Sequence, residues 1–185
     1  MMPEIALNVL DIAENSVRAE ASLIEITVDV NQSADTLTIM IVDNGCGMTQ
    51  DQVARVEDPF FTTRTTRKIG LGVPFFKMAA ISTGGSFFIT SAPGEGTTVK
   101  AVFGLSHIDR MPLGDINGTI HTLITFNTQI DFLYIYRFNE QSFTLDTREF
   151  KKILEGVPLN MPEVSQYIRE FLNENKLEVD GGTAI

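Results

Sequence analysis

The chain has 185 residues, of which 43% are apolar, 9% aromatic and 21% charged. That composition is globular and long enough for one domain, or one compact domain with an appendage, and it excludes wholesale disorder and collagen-like repeats. Fourteen Lys plus Arg against 24 Asp plus Glu leave a net charge of -10, which argues against a broad nucleic-acid surface and requires any anion to be held locally.

The single cysteine, Cys46, excludes a disulfide scaffold. At the start of the chain, Glu4 and Asp11 stand where an export signal needs a basic beginning and a clean apolar stretch. The longest segment free of charged residues, Met78 to Gly94, is interrupted by Gly84, Gly85 and Pro93 and does not read as a membrane span. The expectation is a cytoplasmic protein with no membrane and no nucleic-acid partner.

In chain order, residues 3–20 predict a helix: Pro3 suits its first position, and Ile5, Val9, Ile12, Ser16 and Ala19 form one stripe. Alternating apolar residues then predict strands over Leu23 to Asn31 and Thr36 to Asp43, joined as a hairpin by NQSAD. After DNGCGM come a short polar helix around Gln50 to Val56 and the irregular stretch EDPFFTTRTTRKIGLG. A helix over Val73 to Ser82 ends at Gly84-Gly85, and strands follow at Ser86 to Ser91 and Thr97 to Leu105. This order implies an α+β fold, a two-layer sandwich with helices on one face of a mixed, mostly antiparallel sheet, ending near His107.

Residues 108–185 are too many for a tail. They predict a helix over Ile116 to Phe126, strands at Asp131 to Phe138 and Gln141 to Leu145, and helices at Thr147 to Glu155 and Glu163 to Asn175. The expected division is therefore residues 1–107 and a small α+β extension over 108–185.

Four segments carry the chemistry. On the first helix Asn8, Asp11 and Asn15 fall at i, i+3 and i+7, so an amide and a carboxylate project from one face. Mg²⁺ bound to phosphates can use such a pair, because it takes few protein oxygens. Next, the apolar strand Ile41-Val42 ends in Asp43-Asn44-Gly45-Cys46-Gly47-Met48, a carboxylate able to accept an amino group, followed by glycines that let backbone approach a ring. Third, the loop Asp58 to Gly72 opens into a helix whose amides can face an anion. From Pro59 to Gly94 there is no Asp or Glu, while Arg64, Arg67, Lys68 and Lys77 give +4. Last, the turn Pro93 to Val99 enters a strand on which Thr98 could meet a base edge.

Taken together these segments resemble the GHKL superfamily, the ATP-binding fold of sensor histidine kinases, DNA gyrase B, the heat-shock chaperones of the ninety-kilodalton class and MutL mismatch-repair proteins. The resemblance covers about residues 3 to 105. LDIAENSVRA is similar to the N box, DNGCGM to the first glycine box, DPFFTTR to the phenylalanine box, KIGLGVPFFK to the second glycine box and GEGTTV to the third. It implies ATP and Mg²⁺ as ligands, with Asn15 on the metal and Asp43 reading adenine. Further nucleotide contacts would come from Asn8, Gly45, Gly47 and Met48, from Phe60, Thr63, Arg64 and Lys68 in a lid, from Gly70, Leu71, Gly72 and Val73, and from Thr98.

The form DxxENSxxA also resembles MutL, whose carboxylate one turn before the Asn activates water. Asp11 holds that position as the shorter Asp, so it is read either as a general base or as a residue that tunes Mg²⁺. Glu14 points about 100° away from Asn15 and ranks below it. Only Met1 and Met2 precede Pro3, and neither His107 nor His121 has a phosphoacceptor context, so autophosphorylation on histidine is not expected. The resemblance instead implies an ATPase or protein kinase similar to anti-sigma serine kinases, acting on a partner protein in signalling. The alternative is a non-catalytic nucleotide switch or interaction module. A homodimer is left open, and residues 108–185 offer packing or partner recognition only.

Overall fold

The computed structural model describes residues 3–58 and 71–185. Strands β1 (Leu23–Asn31), β2 (Thr36–Asp43), β3 (Ser86–Ala92), β4 (Gly96–Gly104), β5 (Asp131–Phe138) and β6 (Gln141–Asp146) form one six-stranded sheet in the order β3-β4-β2-β1-β5-β6. The neighbours are antiparallel except β1 and β5, which run parallel with Leu23 opposite Asp131. The period of two along each strand decides which face is covered: Ile24, Ile26, Val28 and Val30 of β1 are buried, as are Leu37, Ile39 and Ile41 of β2.

Over that face lie the helices α1 (Ile5–Arg18), α3 (Gly72–Ile81), α4 (Ile116–Phe126) and α6 (Pro162–Asp180). α2 (Gln50–Val56) contacts β3, and α5 (Thr147–Leu154) contacts β5. α1 inserts Ile5, Val9 and Ile12, α3 inserts Phe76, and α6 inserts Ile168 and Leu172, all buried. The result is the two-layer α/β sandwich with a mixed sheet and a small α+β extension. The extension is built onto the same sheet, because β5 lies beside β1 and α4 packs between α1 and α6.

Two elements, α1 and α6, depart from the sequence expectation by more than one residue at an end. α1 begins at Ile5 because Glu4 is extended, with φ -148°, and the amides of Ile5 and Ala6 donate to Pro112 O and Leu113 O, each at 2.9 Å. α6 runs on to Asp180, five residues beyond the expected end. Its last turn is pinned by Asp180, whose Oδ2 accepts from Tyr136 Oη at 2.8 Å and from Lys176 Nζ at 2.6 Å, while Oδ1 accepts from Gly182 N at 2.9 Å. Burial alone would raise the Asp180 carboxyl, but these donors outweigh it and hold the group below its ordinary range.

His121 sits on the buried side of α4 with Nε2 3.0 Å from Ser165 O and 2.9 Å from Ser165 Oγ. A carbonyl only accepts, so Nε2 carries the proton of a neutral imidazole. Burial lowers the His121 pKa, Arg169 adds to that, and the bond to Ser165 opposes it. His121 therefore clamps α4 to α6, which agrees with its expected lack of a phosphoacceptor role.

Two outcomes follow. Asp180→Asn removes the charge that answers Lys176 and should cost about 3 kcal/mol in urea unfolding, the usual penalty for breaking a buried pair. A loss under about 1 kcal/mol would show the clasp to be dispensable. The lowered His121 pKa means that the unfolded chain binds the proton more readily. Its contribution is complete above the ordinary value of 6.5 and is lost as pH falls below it. His121→Gln should flatten the stability slope between about pH 6.5 and 5, and an unaltered slope would exclude His121 as its source.

Candidate functional site

β2 carries Ile39 and Ile41 into the core and ends on Asp43, which is 8% exposed. Both carboxylate oxygens of Asp43 are engaged: Oδ2 accepts from Ser16 Oγ of α1 at 2.6 Å, and Oδ1 accepts from Gly45 N at 2.9 Å. The carboxylate is thus fixed in rotation, while each oxygen keeps lone-pair capacity for one more donor. Beyond it the chain must turn sharply. Gly47 has φ +68°, and a Cβ there would lie 1.9 Å from Ala92 O. Only glycine allows this turn to close on the end of β3.

Ser91 completes the closure. Its Oγ accepts from Met48 N at 2.8 Å and donates to Gly96 O at 2.7 Å, and Gly94 N donates to Cys46 O at 2.8 Å. The first and third glycine segments are therefore tied together.

These elements enclose a cavity of about 550 Å³, within the roughly 300–1,000 Å³ range of small-molecule sites. Ile41, Ile89, Val99, Val73 and Met48 supply apolar walls, and Asp43 with Ser16 supplies the polar floor. An acceptor between apolar walls suits a flat heteroaromatic ring bearing an amino group. Asn15 and Arg18 of α1 stand on the rim. Asn15 Oδ1 accepts from Arg18 Nη2, and Arg18 also lies 3.7 Å from Glu14. Among the described residues no group of three His, Cys, Asp or Glu could hold a metal ion. A hard cation here would take the Asn15 amide oxygen and find its other oxygens on the ligand and water, a donor set that fits Mg²⁺.

The expected site residues separate into groups. Asn15, Asp43, Gly47, Met48, Gly72 and Val73 line the cavity. Asp11 lies behind Gly72, where a Cβ would come within 1.7 Å of Asp11 Oδ2, so this glycine is what lets the carboxylate approach the cavity wall. Gly45 backs onto Ala19, and Leu71 caps α3 by accepting from Phe75 N at 2.9 Å; both flank the cavity. Asn8, on α1 but not on the cavity lining, is buried at 1% exposure, with Nδ2 3.5 Å from Glu4 O and Oδ1 unpartnered among the described residues.

Thr98 is the correction. Thr97, Val99, Ala101 and Phe103 share the helix-covered face of β4, so Thr98 is turned to the other face and Thr97 lines the cavity. Phe60, Thr63, Arg64, Lys68 and Gly70 lie outside the described residues, as does Arg67. Lys77, the remaining cation of the acid-free stretch, is on α3 and pairs with Glu57 at 2.7 Å.

Sequence reasoning missed Ser16, Ser91, Thr97 and Arg18. For Thr97 a signal existed, since the apolar alternation Val99, Ala101, Phe103 already fixes the inner face. Ser16 adjoins Asn15, but its partner is 27 positions away.

Residues 4–107 match the family described as "Histidine kinase-, DNA gyrase B-, and HSP90-like ATPase". Sensor protein kinase FleS of Pseudomonas aeruginosa is 36% identical over 108 residues, covering 58% of this chain and 26% of that protein. A probable C4-dicarboxylate sensor kinase of Bacillus subtilis is 33% identical over 88 residues, 48% of this chain and 16% of its own length. A putative sensor protein of Shewanella frigidimarina is 29% identical over 107 residues, 57% of this chain and 16% of its own. The chain therefore spans between a sixth and about a quarter of the relatives named here. A crystal structure titled as the N-terminal domain of a DNA repair protein superposes with a TM-score of 0.53 at 15% identity, covering 78% of this chain and 52% of that one, a likeness of fold alone. With more than half its length matched and the glycine segments closed around one cavity, the chain belongs to the histidine kinase-, DNA gyrase B- and HSP90-like ATPase family.

Proposed function

We propose that this chain binds ATP with Mg²⁺ in the cavity below α1 and uses it as an ATPase or protein kinase serving a partner protein in signalling. The observation that carries the reading is Asp43, a carboxylate held on two sides at the floor of an apolar slot. In that position it would accept the adenine amino group, with Ile41, Ile89 and Val99 against the ring. Thr97 and Ser16 would hold water beside the base, and Asn15 would supply the oxygen for Mg²⁺. The metal's chemistry is to neutralise the charge on the phosphates.

Asp11, one turn before Asn15 and against Gly72, is the carboxylate placed to take a proton from an attacking water or from a hydroxyl of the partner. Arg64 and Lys68, outside the described residues, are assigned to the phosphates on the strength of the resemblance. Nothing in this reading needs the chain's own histidines: His121 is buried against Ser165, and His107 lies beyond the end of β4. One observation favours a switching role alongside chemistry. α1, which carries Asn15 and Ser16, packs on α4, and α4 packs on α6, so the helix reading the ligand is continuous with the extension.

Two experiments test the proposal. Titration calorimetry with Mg·ATP should show Asp43→Asn weakening affinity by roughly 10- to 100-fold, the loss of a hydrogen bond to a charged group. Ser16→Ala should weaken it less, by about threefold to tenfold, while Thr98→Ala leaves it unaltered. Equal affinity in Asp43→Asn would remove the adenine assignment. Separately, Asp11→Asn should retain ATP binding and lower phosphate release or transfer by about 100-fold or more. Phosphate appearing on a co-purified protein would identify a kinase and free phosphate an ATPase, whereas turnover equal to that of the unaltered chain would exclude Asp11 as base.

A further inference from the structure

β6 is an edge strand, and its hydrogen-bonding direction can be read from its neighbours. Asp131 N donates to Ser22 O at 2.9 Å and Asn139 N to Val30 O at 2.8 Å, so the odd-numbered residues of β5 face β1 and the even-numbered ones face β6. In the β5–β6 register Tyr136 lies opposite Phe143 and Tyr134 opposite Leu145. Phe143 and Leu145 therefore turn their backbone groups to β5, while Ser142 and Thr144 turn theirs outward. The amides of Ser142 and Thr144 have no hydrogen-bond partner among the described residues.

The strand QSFTLD has no Lys, no Pro and no bulge in its register, devices that usually blunt an edge, and its one charge, Asp146, is paired with Arg148. Beside it lies a groove of about 590 Å³ walled by Phe150, Ile153 and Leu154 of α5 and Val164, Tyr167 and Phe171 of α6. Ile153 is 81% exposed and Tyr167 is 56% exposed.

We propose that this edge is the interface between two copies of the chain, joined antiparallel through β6 about a two-fold axis normal to the sheet. Such an axis leaves both helix layers on the same side, so the exposed Ile153 and Tyr167 of the two copies meet above the join. The outward groups alternate, which restricts the pairing to even-numbered with even-numbered residues. A two-fold at Thr144 places Thr144 opposite itself and Ser142 opposite Asp146 of the second copy. It also places Phe143 opposite Leu145 of the second copy on the helix-covered face. Thr–Thr and apolar–apolar pairs are both favourable cross-strand neighbours. The same register carries Glu140, at the hairpin tip, toward the first turn of the second copy's α5, where Arg148 stands beside Asp146. No like charges oppose one another along the strands. This self-complementarity favours a second copy over a foreign strand. The charge of -10 on each copy opposes association at low salt and is screened at physiological ionic strength.

Sedimentation equilibrium and amide exchange test the proposal on the full chain. At physiological salt the mass should approach twice 20.5 kDa as concentration rises. In the dimer the Ser142 and Thr144 amides should exchange slowly, together with those of Phe143 and Leu145. Thr144→Pro removes only an outward N–H, which an edge strand tolerates, and should return the mass to one chain with the fold retained. Ile153→Asp, on the helix face, should do the same by an independent route. A single-chain mass at every concentration would overturn the proposal. So would a dimer that survives both substitutions, or fast exchange at Ser142 and Thr144 that slows only when a foreign extended peptide is added.

Discussion

The bond from Ser16 Oγ to Asp43 Oδ2, 2.6 Å long and buried, joins the two halves of the cavity. One partner is on the first helix and the other at the end of the second strand, so the bond sets the height of α1 above the sheet at the point where a ligand would enter. Asp43 is a charge with little access to water, and its burial is tolerable only because Ser16 and the Gly45 amide both donate to it. The same two donors leave the carboxylate a single orientation. The burial of that charge thus also fixes its direction, and Ser16 holds it from the helix that carries Asn15 and Arg18.

From that point the rest of the architecture is arranged to hold α1 still. Its apolar stripe is covered by the sheet, its flank by α3, and its other flank by α4 from the extension. Even its first amides are satisfied by Pro112 O and Leu113 O, residues that precede α4, and Leu113 N in turn donates to Ile185 O at 2.8 Å. The extension is thereby part of the scaffold of the cavity helix. β5 lies beside β1, the clasp of Asp180 on Tyr136 and Lys176 fixes α6, and His121 fixes α4 to α6.

Elements whose chemistry is local were legible in the sequence. The strand ending in Asp43 and the turn through Gly47 combine apolar alternation, a carboxylate and a residue that must adopt positive φ within a few positions, and the observed β1 and β2 have the expected limits. What escaped depended on partners distant in the chain. Nothing near Ser16 announces Asp43. Nothing in Asp131–Phe138 specifies that its neighbour is β1 and that the pair runs parallel, because an alternating strand is equally content beside any apolar edge. Asp180 has a local partner in Lys176 four positions earlier, but its bond to Tyr136 could be read only with β5 in view. Thr98 is a different kind of error: side chains alternate with a period of two, so an offset of one residue exchanges the cavity face for the opposite face.

The net charge of -10 is divided evenly, -5 on residues 1–107 and -5 on 108–185, so neither part is a dedicated acidic tail. Beside the cavity the described cations are already answered: Lys77 by Glu57 at 2.7 Å, and Arg18 by Glu14 at 3.7 Å and by Asn15. Bulk charge therefore offers an anion little on the described walls. An anion held there would depend on oriented groups, the fixed Asp43 carboxylate, the amide of Asn15 and the first turn of α3, whose backbone amides carry partial positive charge toward Gly72 and Val73 at the cavity wall. Such groups act only at hydrogen-bonding distance and in one direction. An acidic chain can in this way offer an anion one local site.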